Sequence, residues 1–377
     1  MSAEDIVRDE SRIPTPYYLI DEAGLLANME KIRLVRESSG AKFLLALKCF
    51  ATWGVFDIMS RYMDGTTSSS LFETRLGREK FGKEVHAYSV AFSEDEIEEL
   101  KGYSDKVIFN SITQLEAFSG RVKGPKIGLR VNPGFSYSHF DLADPARRRS
   151  KLGVSDPKEI ERAAGRISGA MFHYNCENDD FDNFRELLDR LGREYAGLLS
   201  KLEWVSLGGG YYFTKEGYPI DKFAEKLKDF SRRHGVQVYL EPGEAAVTQT
   251  TALVAQVLDV IHNDTDIAVV DSSIEAHMLD LLIYRTPAKM DGRPGGKHSY
   301  LIAGKSCLAG DDFGTFGFDE PLKAGDRVRF ADAGGYTMVK KNWFNGLAMP
   351  SIVLKKINGD CKILKTFSYN DFKDALS

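Results

Sequence analysis

From residue 41 onward, short apolar runs alternate with longer segments whose apolar positions recur every three or four residues. "AKFLLALK" precedes "GVFDIMSRYM", "VHAYSV" precedes "SEDEIEELKGY", "KVIFN" precedes "SITQLEAFSG", and "KIGLRVN" leads into a loop. Further on, "GAMFHYN" precedes "DNFRELLDRLGREYAGLLSKL", "EWVSLGG" precedes "IDKFAEKLKDFSRRHG", and "VQVYLEPG" follows. Apolar runs of strand length read as buried strands, and the segments between them carry the helical period. Regular alternation of the two predicts parallel strands with crossover helices. Seven or eight such units make an α/β chain with a (β/α)8 TIM-type barrel over residues 21–245.

After "EPGE" the texture changes. "TTALVAQVLDVI", "DIAVVDSSI", "HSYLIAG", "DRVRFADAG" and "PSIVLKKING" read as strands separated by turn signals such as "KAGD" and "NGD". They predict a C-terminal β domain over residues 246–377, joined by residues 1–20. "TPYYLID" at 15–21 is strand-like too, and either starts the barrel or joins that β domain.

Composition narrows the function classes. Hydrophobic residues at 43% and charged residues at 28% are ordinary for a globular chain. A net charge of −5 gives no general attraction to nucleic acid or anionic membrane, and suits a small cationic substrate better. Cys49, Cys176, Cys307 and Cys361 show no metal-ligand spacing and are too few to staple a chain this long, so they read as reduced thiols. The polar, acidic start "MSAEDIVRDESR" is unlike a signal peptide, and a cytoplasmic protein is expected.

Barrels gather reactive groups at the C-terminal ends of their strands, and four signals fall there. Lys48 ends the first apolar run, His173 lies in "MFHYNCEN", Gly208, Gly209 and Gly210 follow "WVSL", and Glu241 opens "EPGE". Singly, each has an ordinary reading: a solvated lysine, a satisfied core histidine, a tight turn, a surface carboxylate. Together they match the needs of pyridoxal 5'-phosphate. That cofactor takes an amine to carry it, a flat group against its ring, glycine N–H groups for its phosphate and a carboxylate opposite its pyridine nitrogen.

In this order of motifs, the chain resembles the fold-type III pyridoxal-phosphate enzymes, which include alanine racemase and the ornithine, arginine and diaminopimelate decarboxylases. "CLAGDDFG" at 307–314 resembles the decarboxylase loop that carries a cysteine and an acidic residue, and "DAGGYT" at 332–337 resembles the β-domain tyrosine motif. The resemblance implies a homodimer with shared active sites. It makes Lys48 and Cys307 catalytic, the thiol serving as proton donor to Cα. Lys48, Arg130, His173, Gly209, Gly210, Glu241 and Tyr336 become the cofactor residues. Asp64 is read either as steadying this network or as capping a helix.

Where ornithine and diaminopimelate decarboxylases carry "EPGR", this chain has "EPGE". Phosphate binding must then lean on Gly209, Gly210 and Tyr336. With "DGTTSSSLFETRLG", "FHYNCEN" and "EAHMLDLLIY", the variant most resembles the carboxynorspermidine (carboxyspermidine) decarboxylases. Their substrate has an amino-acid end and a cationic aminoalkyl tail, so carboxylates are expected along the tail: Glu244, Asp311, Asp280 and Glu275 are the candidates. Other decarboxylases of the same fold, acting on diaminopimelate or a basic amino acid, are the alternative, together with a non-catalytic pyridoxal-phosphate-binding protein. No metal site is expected, because the seven histidines show no recurring ligand spacing.

Overall fold

The computed structural model describes residues 6–290 and 295–377. The chain divides into two compact units, one of Ala27–Ala246 and the other of the segments up to Leu26 and from Val247 onward. Residues 1–5 of the segment expected to join the β domain lie outside the described residues.

The first unit is a closed barrel of eight parallel strands. In chain order they are β1 (Lys42–Ala46), β2 (Gly65–Ser68), β3 (Glu84–Tyr88), β4 (Lys106–Phe109), β5 (Lys126–Arg130), β6 (Gly169–Met171), β7 (Trp204–Ser206) and β8 (Gln237–Leu240). β8 returns to β1 with Tyr239 opposite Lys42, and this pairing closes the ring. The strands are short and mostly apolar because both faces are covered, the exception being β2, whose GTTS is buried at every position. The helices start and stop where their caps dictate. Ser93 and Glu96 form a capping box before Glu94–Leu100, and Asp180 accepts the N–H groups of Asp182 and Asn183 before Phe181–Glu194. "GVFDIMSRYM", read as one helix, is a 3-10 turn, Trp53–Val55, followed by the single helical turn Phe56–Met59.

Inside the barrel Leu44, Tyr88, Ile108, Met171, Trp204 and Tyr239 form one buried cluster. Trp204 fills the space that small residues leave on the neighbouring strand. A Cβ at Gly169 would come within 2.0 Å of Trp204 Cε2, so that position admits no larger residue while the indole is in place.

The N-terminal end of the barrel is closed by one shared carboxylate. Glu84 accepts Lys42 Nζ at 3.0 Å on Oε2, and on Oε1 it accepts Tyr239 Oη at 2.9 Å, His86 Nε2 at 3.0 Å and Lys106 Nζ. Lys42, Glu84 and Lys106 are the first residues of β1, β3 and β4, so this network belongs to the floor. Asp64, which immediately precedes β2, also lies at that end. It pairs in a fork with Arg36 and accepts the Phe43 N–H at 3.0 Å. Neither role read for it from sequence applies, because it stands before its strand and not after it.

The second unit is a ten-stranded mixed sheet. Tyr17–Asp21 joins this sheet, pairing parallel with Ser351–Lys355 and antiparallel with Thr251–Asn263. The long strand Thr251–Asn263 pairs along its first part with Arg327–Ala331, and beyond an irregularity between Val257 and Asp259 it pairs only with Thr265–Val270. Thr265–Val270, His298–Ala303 and Asp312–Phe318 complete the far side. Ile13, Tyr17, Leu19, Val254, Val353 and Cys361 make a core cluster under the sheet.

Candidate active site

The strand ends opposite the Glu84 floor bring the predicted barrel residues together. Lys48 follows β1 in a turn closed by Cys49 N–H to Ala46 O at 3.0 Å. Its side chain is open to solvent, yet it stands among enough protein to lose much of its hydration. This desolvation, reinforced by the Arg130 guanidinium, lowers the pKa of the ammonium, while Glu241 and Glu73 act in the opposite sense. The amine at the end of the apolar run is thereby biased toward its neutral, nucleophilic form.

Glu241 follows β8 and is buried, with Oε1 accepting the Ser206 hydroxyl at 2.6 Å and a further hydrogen bond from Thr67. Burial raises its pKa, and the bonds from Ser206 and Thr67 and the charges of Lys48 and Arg130 oppose the shift. Arg130, the last residue of β5, is buried; its Nη1 donates to Tyr88 Oη at 2.8 Å, and Tyr88 in turn donates to Asn110. Among the described residues its Nη2 is buried with no hydrogen-bond partner. A buried guanidinium nitrogen left open is an anion donor in waiting.

His173 lies two residues past β6. Its Nδ1 accepts the Gly209 N–H at 3.1 Å, and burial together with the Lys48 and Arg130 charges pushes its pKa well below the usual value. The ring is therefore a neutral flat surface. Gly208 makes room for it: the residue has φ +70°, and a Cβ there would lie 2.1 Å from His173 Nδ1. The Gly209 amide is committed to this ring and is not free for a phosphate as the sequence suggested. The Gly210 amide donates to no backbone or side-chain acceptor among the described residues.

Glu244 sits at the first position of the short helix Glu244–Val247, half-buried, with Oε2 3.6 Å from Cys49 Sγ. Sequence reasoning passed over Glu73. The serine before it, Ser70, accepts the Glu73 N–H, while Glu73 Oε2 accepts the Ser69 N–H at 2.6 Å. Burial raises its pKa and the Lys48 charge opposes this. The "SLFE" spacing is a capping signature, and nothing in it marks the electrostatic reach of Glu73 to Lys48, which only the fold brings about.

The remaining candidates belong to the second unit. Cys307 is exposed in the turn between His298–Ala303 and Asp312–Phe318. Tyr336, in the left-handed region at φ 55°, lies beside Thr337, whose hydroxyl donates to Asp280 Oδ1 at 3.0 Å. Asp280 is half-buried, and desolvation raises its pKa. Glu275 accepts a long bond from Asn342 on Oε1, while its Oε2 is buried without a partner among the described residues. Asp311 corrects the sequence reading. It is buried, with Oδ1 accepting Ser273 Oγ at 3.1 Å and Ile274 N–H at 2.6 Å, and Oδ2 accepting Ser306 N–H at 3.1 Å. A carboxylate so occupied anchors its own loop and presents no free face to a ligand.

This barrel with its separate mixed sheet is the fold of the fold-type III decarboxylases. Diaminopimelate decarboxylase from Helicobacter pylori, complexed with L-lysine, superposes with a TM-score of 0.82 over 97% of each chain at 19% identity. No family model matches the chain. The carboxynorspermidine/carboxyspermidine decarboxylase of Herminiimonas arsenicoxydans is 56% identical over 365 residues, covering 97% of this chain and 100% of its own. The crystal structure of carboxynorspermidine decarboxylase from Campylobacter jejuni, complexed with norspermidine, matches with a TM-score of 0.89 at 37% identity, covering 96% of this chain and all of that one. The chain belongs to the carboxynorspermidine/carboxyspermidine decarboxylase family and is a carboxy-lyase.

Proposed function

We propose that this protein decarboxylates carboxynorspermidine and carboxyspermidine to norspermidine and spermidine, a step of polyamine biosynthesis, with pyridoxal 5'-phosphate held on Lys48. The end-to-end identity with the Herminiimonas enzyme carries the reading. The barrel residues fit the cofactor: a desolvated lysine, a neutral histidine ring, a buried carboxylate and an arginine nitrogen without a partner. Pyridoxal phosphate, when bound, supplies an electron sink for the pair left behind as carbon dioxide departs.

Each residue then has one task. Lys48 would hold the cofactor through its side-chain amine, which desolvation biases toward the neutral form. Glu241 would hold a proton on the pyridine nitrogen, His173 would offer its flat neutral ring to the cofactor, and the open Nη2 of Arg130 would donate to its phenolic side. Gly210 and Tyr336 would take the phosphate, with Gly209 contributing through the placement of His173. Cys307 of a second subunit gives its proton to Cα, in a homodimer with shared sites in the cytoplasm. Glu244 and Asp280 meet the cationic tail, a role that Asp311, tied inside its loop, leaves to them.

Borohydride reduction of the cofactor-loaded protein followed by peptide mapping tests the attachment. A pyridoxyl group on Lys48 is expected; one on another lysine, or on none, would overturn the reading.

A further inference from the structure

The Cys307 turn is tied down on both sides of the cysteine by its own hydrogen bonds. Gly304 N–H donates to Asp311 O at 2.7 Å, Asp311 N–H to Leu308 O at 3.1 Å, and Leu308 N–H to Ser306 Oγ at 3.2 Å. These bonds, with Ser306 N–H to Asp311 Oδ2, close the turn on itself, while Asp311 Oδ1 ties it to Ser273 and Ile274. The Cys307 amide reaches out instead, donating to Asn345 Oδ1 at 2.6 Å across 38 positions of sequence.

Asn345 is built to stay where it is. Its backbone lies at φ 55°, ψ 11°, a left-handed conformation that asparagine adopts more readily than other non-glycine residues. The loop around it is pinned at both sides. Asn342 donates its N–H to Ala276 O at 2.9 Å and its side-chain amide to Glu275 O at 3.1 Å, and its Oδ1 accepts Phe344 N–H at 2.8 Å. Trp343 packs edge-on against Phe367 and Phe372, and the Phe372 ring covers Gly346. The C-terminal segment thus braces the loop that presents Asn345.

An exposed hydrogen bond of this kind contributes little to stability, so its value lies in placement. We propose that Asn345 is a positioning residue for the decarboxylation, fixing the Cys307 main chain and so the point from which the thiol delivers its proton. The inference rests on the reading of Cys307 as proton donor. In that step the S–H bond breaks as a C–H bond forms at the carbon that lost its carboxylate; the electron pair stays on Sγ, and solvent returns the proton. A neutral acceptor suits the task. A carboxylate at 345 would accept the same bond while placing a negative charge beside the thiol, which would hold its proton more tightly.

Two substitutions separate the bond from the backbone. Asn345→Gly keeps the left-handed conformation without cost and removes the acceptor, whereas Asn345→Asp keeps the acceptor and adds charge. The pH dependence of Cys307 alkylation by iodoacetamide, followed by peptide mass spectrometry on the holoenzyme, reads the placement apart from turnover. Asn345→Gly is expected to change the alkylation rate at least threefold and to lower kcat at least tenfold, with KM and cofactor affinity within twofold of wild type. Asn345→Asp is expected to retain kcat at its optimum with the alkylation profile moved to higher pH, and it keeps the proposal testable if the glycine variant fails to fold. Unchanged alkylation and turnover in Asn345→Gly would overturn the proposal while leaving Cys307 as donor. Wild-type turnover by Cys307→Ala would instead overturn the donor reading itself, and the catalytic meaning of Asn345 with it.

Discussion

Lys48 is where an apolar strand delivers an amine into partial desolvation, with one cation, Arg130, and two carboxylates, Glu241 and Glu73, in electrostatic reach. The lysine, the glycines and Glu241 were legible because each stands at a strand end with an unusual neighbour in the sequence. The commitment of the Gly209 amide to His173 was not, since it depends on how two loops from different strands meet. Gly208→Ala tests that meeting. The added Cβ would collide with His173 Nδ1 and also carry the cost of a left-handed backbone, about 1 kcal/mol, so the ring must move. The expected result is cofactor binding weakened at least tenfold in a titration, with the far-ultraviolet dichroism of the fold retained. Glu244 is tested more gently. If its carboxylate meets an amine of the tail, Glu244→Gln should reduce kcat/KM for carboxynorspermidine by about 1.5–3 kcal/mol while cofactor affinity stays constant. An equal loss on a short basic amino acid would show that the tail is not what Glu244 recognises.

At the scale of elements, the alternation of apolar runs and helical segments showed seven of the eight barrel strands, because parallel strands covered on both faces are mostly apolar, but it passed over β2, whose buried GTTS makes no apolar run. It could not say which sheet took "TPYYLID": a strand of five residues buried at four of its positions reads the same in either setting. Nor could it show that Asp311 is an internal anchor, since its partners Ser273 and Ile274 lie 38 and 37 positions away. The barrel floor was invisible for the same reason. There burial alone would raise the Glu84 pKa, but His86 and Lys106 hold it far below the usual carboxylate range, and burial lowers His86 to about 4. The signs agree. The unfolded chain binds protons on His86 below the ordinary imidazole value of 6.5, whereas the folded chain takes them up only near 4, so stability is full above 6.5 and falls as the pH drops through that window. Glu84, with its folded pKa depressed, adds a further loss at lower pH. Thermal unfolding midpoints should therefore decline from pH 7 to 4. His86→Gln, which can keep a bond to Glu84 without titrating, should flatten the upper part of that decline; an unchanged slope would remove His86 from the account.

For the whole molecule, the barrel holds Lys48 and the mixed sheet holds Cys307, and the proposal joins them across two subunits. Lys48→Ala and Cys307→Ala chains, each inactive alone, should recover activity when hybrids form on mixing. Hybrids without activity would show that the sites are not shared. The substrate class is the central claim, and steady-state turnover on a panel measures it directly. With pyridoxal phosphate bound, carbon dioxide release from carboxynorspermidine, carboxyspermidine, meso-diaminopimelate and L-ornithine should favour the two carboxylated triamines by roughly a hundredfold or more in kcat/KM, as expected when charged groups in the site are left unpaired by the wrong substrate. Equal or faster turnover of diaminopimelate or ornithine would contradict the account.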